Sequence, residues 1–391
     1  MATSCPEESV MRPTAPLPTP DASDLPASVP SLHAAPAFTA RLALQLHKNL
    51  AEAGVAQGAT LLCAVSGGAD SVALACLAAL VAPRLQARVH MACCDHGLRA
   101  ESAAEARFVE ALGHLLGLEV TTVVLTVQGQ GSLEEVARKK RYAALEAVRK
   151  QSGASHILLA HHRRDLSEDM VLRLVRGTGW PGLGGMKAAD PERHLLRPLL
   201  FADPEDLRTV LHELHMPHCE DASNADTRFA RNRVRHELLP LLYRENPGLD
   251  AALGNLSLLA RLDEDYFADL IAPLCAQCKE ERRPEAAGTR ITLSLPARPV
   301  KALAPSVRLR LFMALIQRLA RAGVPGQARS GVLLQLNAAL DRPRRPRHFV
   351  LPGGMQIRLG SKTLDVSGLV PEKEAAAQDI SESDERPADA R

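Results

Sequence analysis

Short apolar runs alternate with helical patterns through the first half of the chain. Four of the runs have the length of buried strands and lie at residues 61–65, 89–94, 120–127 and 156–160. Apolar residues at helical spacing precede or separate them, most clearly at residues 39–53 and 101–116. Strands that alternate with helices predict an α/β fold with a doubly wound, mostly parallel sheet.

The first of these runs leads into two glycines, where the strand pattern ends and a helical pattern begins. A strand that enters a helix through a glycine turn points several backbone N–H groups at one spot, at the positive end of the helix dipole, and so forms an anion site. Serine hydroxyls can add donors, and an aspartate can hold a magnesium ion that bridges phosphate oxygens. We predict a phosphate-binding loop made of Ser66, Gly67, Gly68, Ala69, Asp70 and Ser71.

This loop differs from two familiar nucleotide-binding motifs. It lacks the G-x-x-x-x-G-K-[ST] pattern of a Walker loop, and no lysine lies near the glycines. It also lacks the third glycine of the dinucleotide fingerprint G-x-G-x-x-G. An ordinary strand, tight turn and helix is the alternative interpretation.

Polar motifs also follow the second and fourth predicted strands. Residues 95–99 begin with Asp95 and His96, and the fourth strand is followed by two histidines and then by Asp165 and Glu168. Ligands of doubly wound sheets bind beyond the carboxyl ends of the strands, so both motifs and the phosphate loop are expected at one edge of the sheet. Asp165 and Glu168 stand three residues apart and therefore share one face of a helix.

Composition divides the chain of 391 residues into several stretches, and the length exceeds that of one typical domain. We predict a disordered Pro/Ala-rich extension at residues 1–37, an α/β catalytic domain at 38–245, a mainly helical domain at 246–341, a small basic and β element at 342–370, and a disordered acidic tail at 371–391.

The net charge of the chain is only +2, so any binding of nucleic acid must come from local clusters. The strongest cluster has four arginines and no acid, and its candidate contacts are Arg228, Arg231, Asn232, Arg233 and Arg235. A plain solvated helix face is the alternative for that cluster. A second basic run at residues 342–347 either touches phosphates or forms a charged linker.

No apolar run reaches the length of a membrane span, and the N-terminus lacks the charged-then-apolar pattern of a secretion signal. We therefore expect a cytoplasmic protein with no membrane partner. The eight cysteines show no disulfide framework. Cys275 and Cys278 have the spacing of metal ligands, but no second pair accompanies them, whereas a zinc site needs four ligands.

Taken together, these motifs resemble those of the tRNA(Ile)-lysidine synthetases, a family of pyrophosphate-loop (PP-loop) ATPases. The matching strings, in chain order, occupy residues 66–71, 95–99, 137–142, 160–168, 176–186, 197–200, 220–224 and 231–235. The resemblance is continuous over about residues 40–245 and looser beyond. It implies an adenine nucleotide α-hydrolase-like sheet, and it implies that the helical domain binds tRNA.

The resemblance implies a two-step reaction on tRNA(Ile) with a CAU anticodon. O2 of cytidine 34 attacks the α-phosphate of ATP and releases pyrophosphate. The ε-amine of L-lysine then displaces AMP at C2 and gives lysidine, which changes codon reading from AUG to AUA. ATP and Mg²⁺ are the implied cofactors, with the metal held by Asp70 through ATP, and no iron–sulfur cluster is expected.

The resemblance also implies roles for side chains outside the loop. Arg141 would contact phosphate, and His161 would contact phosphate or the adenylate. The nucleotide pocket would include Asp95 and His96. The ammonium of lysine would be attracted by Asp165 and Glu168, although carboxylates at the start of a helix also serve to compensate its dipole. His162 could equally be a packed core histidine.

The chain departs from the family pattern beside the two carboxylates. The family usually has Asp-Gln-x-x-Glu-Thr, whereas this chain has Leu166 and Asp169 in place of the glutamine and the threonine. The resemblance also implies that larger family members carry a further C-terminal domain, which we do not expect in a chain of this length.

Two other functions stay open at this point. A tRNA cytidine 2-thiolating enzyme of the same superfamily would give Cys275 and Cys278 an iron–sulfur cluster to hold, but it would leave Asp165 and Glu168 without a role. A tRNA-binding protein that has lost catalysis is suggested only by the changes at Leu166 and Asp169. The sequence also leaves a homodimer open.

Overall fold

The computed structural model of the protein describes residues 19–95, 102–125, 133–220, 228–326, 330–341 and 347–371. The chain divides into two compact units. One comprises residues 1–177 and 182–258, and the other comprises residues 178–181 and 259–391. The strings that resemble the family all lie in the first unit, apart from residues 178–181 of the glycine-dense stretch at residues 176–186.

The first unit is built on a six-stranded sheet. Its strands are β1 (Thr60–Ala64), β2 (Arg88–Asp95), β3 (Glu119–Val124), β4 (His156–Leu158), β5 (Ala189–Asp190) and β6 (Leu195–Leu196). They lie in the order β3-β2-β1-β4-β6-β5, and every neighbouring pair is parallel except β5 with β6. This confirms the predicted doubly wound, mostly parallel sheet.

Strand β1 lies at the centre because its side chains are apolar on both faces. Leu61, Leu62 and Cys63 are each at most 1% exposed, as expected for a strand with helices on both sides of the sheet. Leu62 is in register with His90 of β2 on one side and with Ile157 of β4 on the other. The order in which successive strands are added to the sheet reverses between β1 and β4, and the crevice beyond the carboxyl ends of these two parallel strands is where such folds bind ligands.

Helices cover both faces of this sheet. They are α1 (Ala37–Glu52), α2 (Ala69–Leu85), α3 (Ser102–Leu116), α4 (Leu133–Gln151), α5 (Arg163–Val175) and α6 (Pro204–Glu213). Helix α2 is buried nearly all round, from Ser71 through Ala78, because it carries an almost unbroken run of small and apolar residues. Helix α6 begins with Pro204 in its first turn, and the Asp203 side chain accepts from the N–H of Glu205 at 3.0 Å.

The first unit ends in a broken helical stretch. Helix α7 (Ala230–Arg233) continues through a π-helical turn (Val234–Leu238) into α8 (Leu239–Glu245). The long helix α9 (Leu249–Ala276) follows. The arginines of the predicted RNA-binding cluster therefore lie on α7, in the π-helical turn and just before them.

The second unit combines helices with a five-stranded antiparallel sheet. Its strands are β7 (Lys279–Glu285), β8 (Gly288–Pro296), β9 (Arg347–Val350), β10 (Gln356–Leu359) and β11 (Thr363–Pro371), in the order β7-β8-β11-β10-β9. Its helices after α9 are α10 (Ala297–Ala302), α11 (Pro305–Arg321) and α12 (Ser330–Leu340). Alternate residues of β8 are buried in the same hydrophobic cluster as Phe312 of α11.

The structure differs from the predicted division between a helical domain at 246–341 and a β element at 342–370. Strand β8 pairs with β11 from Gly288–Pro371 to Pro296–Thr363, so strands from both stretches form one sheet. The period-two pattern of Ile291, Leu293 and Leu295 is the local signal for β8. Prolines and charges on either side obscure it in the sequence.

The prediction of disorder for residues 1–37 is wrong for the part that is described. Asp21 caps a short 3₁₀ turn (Ala22–Asp24), and Leu25, Val29 and Leu32 pack against the core of the first unit. Three spaced apolar side chains are enough to dock this proline-containing segment. Residues 1–18 and the predicted tail from residue 372 onward lie outside the described residues.

In the described ranges, none of the helices combines the length and the apolar character that crossing a bilayer requires.

Candidate active site

The predicted phosphate loop joins β1 to α2. Gly67 has a φ of +87°, which only glycine adopts freely, and Gly68 is the N-cap of α2. The hydroxyl of Ser71 accepts from the N–H of Ser66 at 3.1 Å and donates to the carbonyl of Gly68 at 2.9 Å. Ser71 therefore braces the turn, while the exposed Ser66 and the first N–H groups of α2 face the anion site.

A residue far along the chain, Cys219, contacts the backbone of this loop. The N–H of Cys219 donates to the carbonyl of Gly67 at 2.9 Å, and Cys219 forms an isolated parallel bridge with Gly68. A Cβ at position 67 would lie 3.0 Å from Sγ of Cys219. We did not predict this role for Cys219, because a single cysteine between polar residues carries no recognisable signal.

The motif after β4 is connected to the loop through His162. Its backbone N–H donates to Oδ2 of Asp165 at 3.0 Å at the start of α5. Its Nε2 lies 3.4 Å from Oδ2 of Asp70 and 3.5 Å from Oδ2 of Asp165. Burial alone would lower the pKa of His162, but the hydrogen bond to Asp70 and the charge of Asp165 outweigh it and raise that pKa. His162 is thus a bridge between two carboxylates and not merely a packed core histidine.

The two carboxylates of α5 are paired with two arginines of the predicted RNA-binding cluster. Nε of Arg231 lies 2.8 Å from Oε2 of Glu168, and its Nη2 lies 2.8 Å from Oδ1 of Asp165. Nε of Arg235 lies 2.6 Å from Oε1 of Glu168, and its Nη2 lies 3.0 Å from Oε2. The Glu168 side chain is 0% exposed. The sequence assigned these groups to different ligands, and the structure brings them together.

Asp165 remains ionised in this cluster. Burial alone would raise its pKa, but the positive charges of His162 and Arg231 outweigh burial and hold the pKa below its usual range. A carboxylate of this kind binds a cation well and accepts a proton poorly.

His161 is held in the neutral form. Burial, reinforced by the charges of Arg197 and Arg231, outweighs the attraction of Asp165 and lowers the pKa of His161 to about 3. Its buried Nδ1 has no hydrogen-bond partner in the described part of the chain. A neutral imidazole with a spare nitrogen can accept or donate one hydrogen bond to a substrate.

Arginines and one tyrosine line the side of the site nearest α4. The guanidinium carbons of Arg138 and Arg141 lie 5.1 and 5.9 Å from the ring centre of Tyr142, within cation–π range. Burial lowers the pKa of the predicted phosphate ligand Arg141, which lies near Cys94 of β2. Arg197 is only 7% exposed and donates to the carbonyl of Lys187 at 2.7 Å.

The sequence motif at residues 197–200 drew attention to Arg197 but assigned it no role. Burial lowers the pKa of Arg197, and the nearby Tyr142 offsets part of that effect. Arg197 acts electrostatically on His161 together with Arg138 and Arg231. The only feature of the sequence that could have indicated a role for Arg197 in the site is its position directly before a proline and two leucines.

Other predicted site residues lie around this centre. Ala69 is the first residue of α2, and Asp95 ends β2, with its carbonyl accepting from the N–H of Leu125 at 2.6 Å. Arg228 and Arg233 are exposed, and Nη1 of Arg233 donates to the carbonyl of Arg228 at 2.8 Å. Asn232 lies on α7. His96 lies outside the described residues.

The two departures from the family pattern have structural roles. Leu166 is fully buried with Met170 and Leu200. A Cβ at Gly185 would lie 2.6 Å from Leu166, so the glycine-dense stretch packs its backbone on this leucine. Asp169 accepts from Nε of Arg173 at 2.8 Å. Neither change removes a carboxylate from the site.

Cys275 and Cys278 lie at the end of α9 and in the turn that follows, where the N–H of Cys278 donates to the carbonyl of Cys275 at 3.2 Å. Both are partly buried against the core of the second unit, and burial raises the pKa of both thiols. Across the described ranges, no group of three or more His, Cys, Asp or Glu side chains is arranged to hold a metal ion.

A glycine loop between the first strand of a doubly wound sheet and the next helix, with polar side chains at the neighbouring strand end, defines a nucleotide-binding domain of the PP-loop class. The family model of the PP-loop domain matches residues 38–242. A tRNA(Ile)-lysidine synthase of Nitratidesulfovibrio vulgaris is 38% identical over 304 residues, which are 74% of this chain and 86% of the relative. The chain belongs to the tRNA(Ile)-lysidine synthase family, which confirms the predicted resemblance.

Two further relatives differ in length. The tRNA(Ile)-lysidine synthase of Thermobifida fusca is 37% identical over 305 residues, 77% of this chain and 89% of the relative. That of Deinococcus deserti is 34% identical over 286 residues, 71% of this chain but only 50% of the relative. Among solved structures, the U34-tRNA thiolase NcsA from Methanococcus maripaludis is 13% identical, with a TM-score of 0.48 over 57% of this chain and 79% of that chain. That likeness is too slight to bear on chemistry.

Proposed function

We propose that the protein ligates L-lysine to C2 of cytidine 34 in the CAU anticodon of tRNA(Ile), in the cytoplasm, through an adenylated cytidine. Family membership supports the reaction as a whole. The observation that carries it in this chain is the His162 bridge, which joins Asp70 of the phosphate loop to Asp165 of α5 at 3.4 and 3.5 Å. This proximity supports the proposal, because the loop to which we assign the phosphates and the carboxylate to which we assign the ammonium are linked by one side chain.

The first step needs neutralisation and alignment of a triphosphate. The N–H groups at the start of α2 and the exposed Ser66 supply donors, and the arginines around Tyr142 supply positive charge. Asp70 suits Mg²⁺, because its side chain is 43% exposed at the mouth of the loop and a carboxylate oxygen is a preferred ligand of that ion. When bound, the metal would neutralise charge on the phosphates.

The second step needs a site for the lysine side chain. The ionised Asp165 attracts the ammonium, and its low pKa assigns it to binding rather than to proton removal. The neutral His161 lies beside it with a spare ring nitrogen. Glu168 is fully buried beneath both arginines, so its first task is to hold them.

Recognition of the RNA depends on local positive charge, because the whole chain has a net charge of only +2. Exposed Arg228 and Arg233 support this role, because their positive charges can attract RNA phosphates. Asn232 offers an amide for hydrogen bonds to RNA.

The test is incorporation of radiolabelled lysine into a tRNA(Ile) transcript with a CAU anticodon, in the presence of ATP and magnesium. We expect label in this tRNA and none in a methionine initiator tRNA, which has the same anticodon triplet. Release of AMP and pyrophosphate without label would keep the adenylating site but would reject lysine as the nucleophile. Sulfur would then be tested first.

A further inference from the structure

Two arginines occupy the carboxylates to which the proposed function assigns lysine. Oε1 of Glu168 accepts from Arg235, and Oε2 accepts from both Arg231 and Arg235. Oδ1 of Asp165 accepts from Arg231, and its Oδ2 accepts from the N–H of His162. All four carboxylate oxygens therefore have donors within 3.0 Å. An ammonium would have to share these oxygens with the guanidinium groups unless a guanidinium moved away.

The cluster of Asp165, Glu168, Arg231 and Arg235 is electrically balanced. An added lysine ammonium would leave one uncompensated positive charge among groups that are mostly buried, and such a charge is costly. Departure of an arginine alone would leave an uncompensated negative charge at a fully buried glutamate. Simultaneous arrival of an ammonium and a phosphate keeps the balance, because the phosphate takes the arginine and the ammonium takes the carboxylate.

The arginines are placed to make such an exchange. Their side chains are 26% and 28% exposed, so each remains partly accessible to solvent while its guanidinium is bonded to a carboxylate. Arg235 lies in the π-helical turn, and Arg231 lies one turn earlier on α7. π-Helical turns are rare and are frequently found at functional sites. Guanidinium groups bind phosphates as readily as they bind carboxylates.

We infer that Arg231 and Arg235 form a clamp that closes the lysine site of the RNA-free protein, and that tRNA phosphates release it, so that lysine and tRNA bind cooperatively. This inference rests on the proposed function and adds to it the order in which tRNA and lysine bind. Lysine binds weakly until the RNA has bound. The carboxylate site therefore stays largely unoccupied by lysine when no tRNA is present. Linkage requires that lysine strengthen tRNA binding by the same factor.

The test is the dissociation constant of radiolabelled lysine for the full-length protein, measured by equilibrium dialysis without ATP at one fixed salt concentration. We expect tRNA(Ile) to tighten lysine binding by about tenfold or more, within the usual range of coupling between sites. Filter binding of the tRNA with and without lysine should give the same factor. Equal affinity for lysine with and without tRNA would overturn the clamp.

Two variants separate the clamp from a general effect of charge. Arg235→Gln should let lysine bind without tRNA nearly as tightly as it binds the wild-type complex, and coupling should fall to about twofold or less. Arg244→Gln removes the same charge from an exposed position on α8 and should keep wild-type coupling. Wild-type coupling in a folded Arg235→Gln protein would contradict the clamp. If that variant does not fold, the lysine affinities of the wild-type protein with and without tRNA still test the clamp.

Labelled lysine incorporation tests the proposed function separately. Incorporation together with equal lysine affinities would overturn the clamp and leave the function standing. Absence of lysine binding under both conditions, with no incorporation, would overturn both.

Discussion

The N–H of Cys219 donates a hydrogen bond of 2.9 Å to the carbonyl of Gly67. This contact ties the phosphate loop to the segment that leads toward the arginines of α7. Sγ of Cys219 would lie 3.0 Å from a Cβ at position 67, and Gly67 has a φ of +87°. The phosphate loop is therefore held in shape by a contact from outside its own strand and helix.

Replacement of Gly67 by alanine should destabilise the fold by about 1–2 kcal/mol, the usual cost of a left-handed conformation for a residue with a Cβ. The 3.0 Å approach to Cys219 adds to that cost. Urea denaturation measures the change. Gly68→Ala is the matched control, because Gly68 has a φ of −69° and its nearest contact would be Ser66 Oγ at 3.6 Å. Equal destabilisation by both changes would contradict the argument.

Asp70→Asn should lower the rate of tRNA-dependent ATP–pyrophosphate exchange by about 100-fold or more, since metal-assisted charge stabilisation is worth several kcal/mol. The free energy of unfolding should change little, because the Asp70 side chain is 43% exposed. Asp206→Asn on α6 provides a control for loss of a carboxylate outside the site. Full exchange activity in the Asp70 variant would exclude it as the metal-holding residue.

Asp165→Ala should impair lysine use more than ATP binding. We expect the KM for lysine to rise by about tenfold or more, because charge-assisted hydrogen bonds contribute about 1.5–3 kcal/mol. The KM for ATP, from initial rates at saturating lysine, should change much less. Equal increases in both constants would mean that Asp165 organises the whole site and does not bind lysine selectively.

Glu168 provides the contrast with Asp165. Because its side chain is 0% exposed and bonded to two arginines, Glu168→Ala should destabilise the fold by about 3–5 kcal/mol, as expected when one partner of a buried ion pair is removed. A thermal or urea unfolding curve measures this loss. Asp165→Ala should destabilise the fold less than Glu168→Ala does, because Asp165 makes fewer hydrogen bonds with the arginines.

The low pKa of His161 predicts a specific dependence of stability on pH. In the unfolded chain His161 takes up a proton near its ordinary pKa of about 6.5, whereas in the fold it stays neutral down to about 3. The neutral His161 therefore contributes fully to the stability of the fold above about pH 6.5, its ordinary pKa. That contribution is lost as the pH falls from about 6.5 to about 3. His161→Asn should flatten the acid side of the stability curve measured by urea denaturation, and an unchanged slope would contradict this.

The elements of the parallel sheet were predictable because their signals are local. A buried parallel strand needs a short apolar run, and a strand that enters a helix needs a flexible turn, so residues 61–71 carry both signals within one stretch. The helix cap at Asp203 and Pro204 is equally local. Strand β8 was not predicted as part of the C-terminal sheet, because its period-two pattern is short and its partner β11 lies far along the chain.

The class of fold, the strand–glycine–helix motif and the family could be predicted from the sequence alone, since each depends on residues close together in the chain. Which of these residues act on one another became visible only in the folded structure. The pairing of Glu168 with Arg231 and Arg235, the support of Gly67 by Cys219 and the burial of His161 beside Arg197 join distant segments. Charges and hydrogen bonds depend on distance and burial in space, and the spacing of residues along the chain determines neither of these.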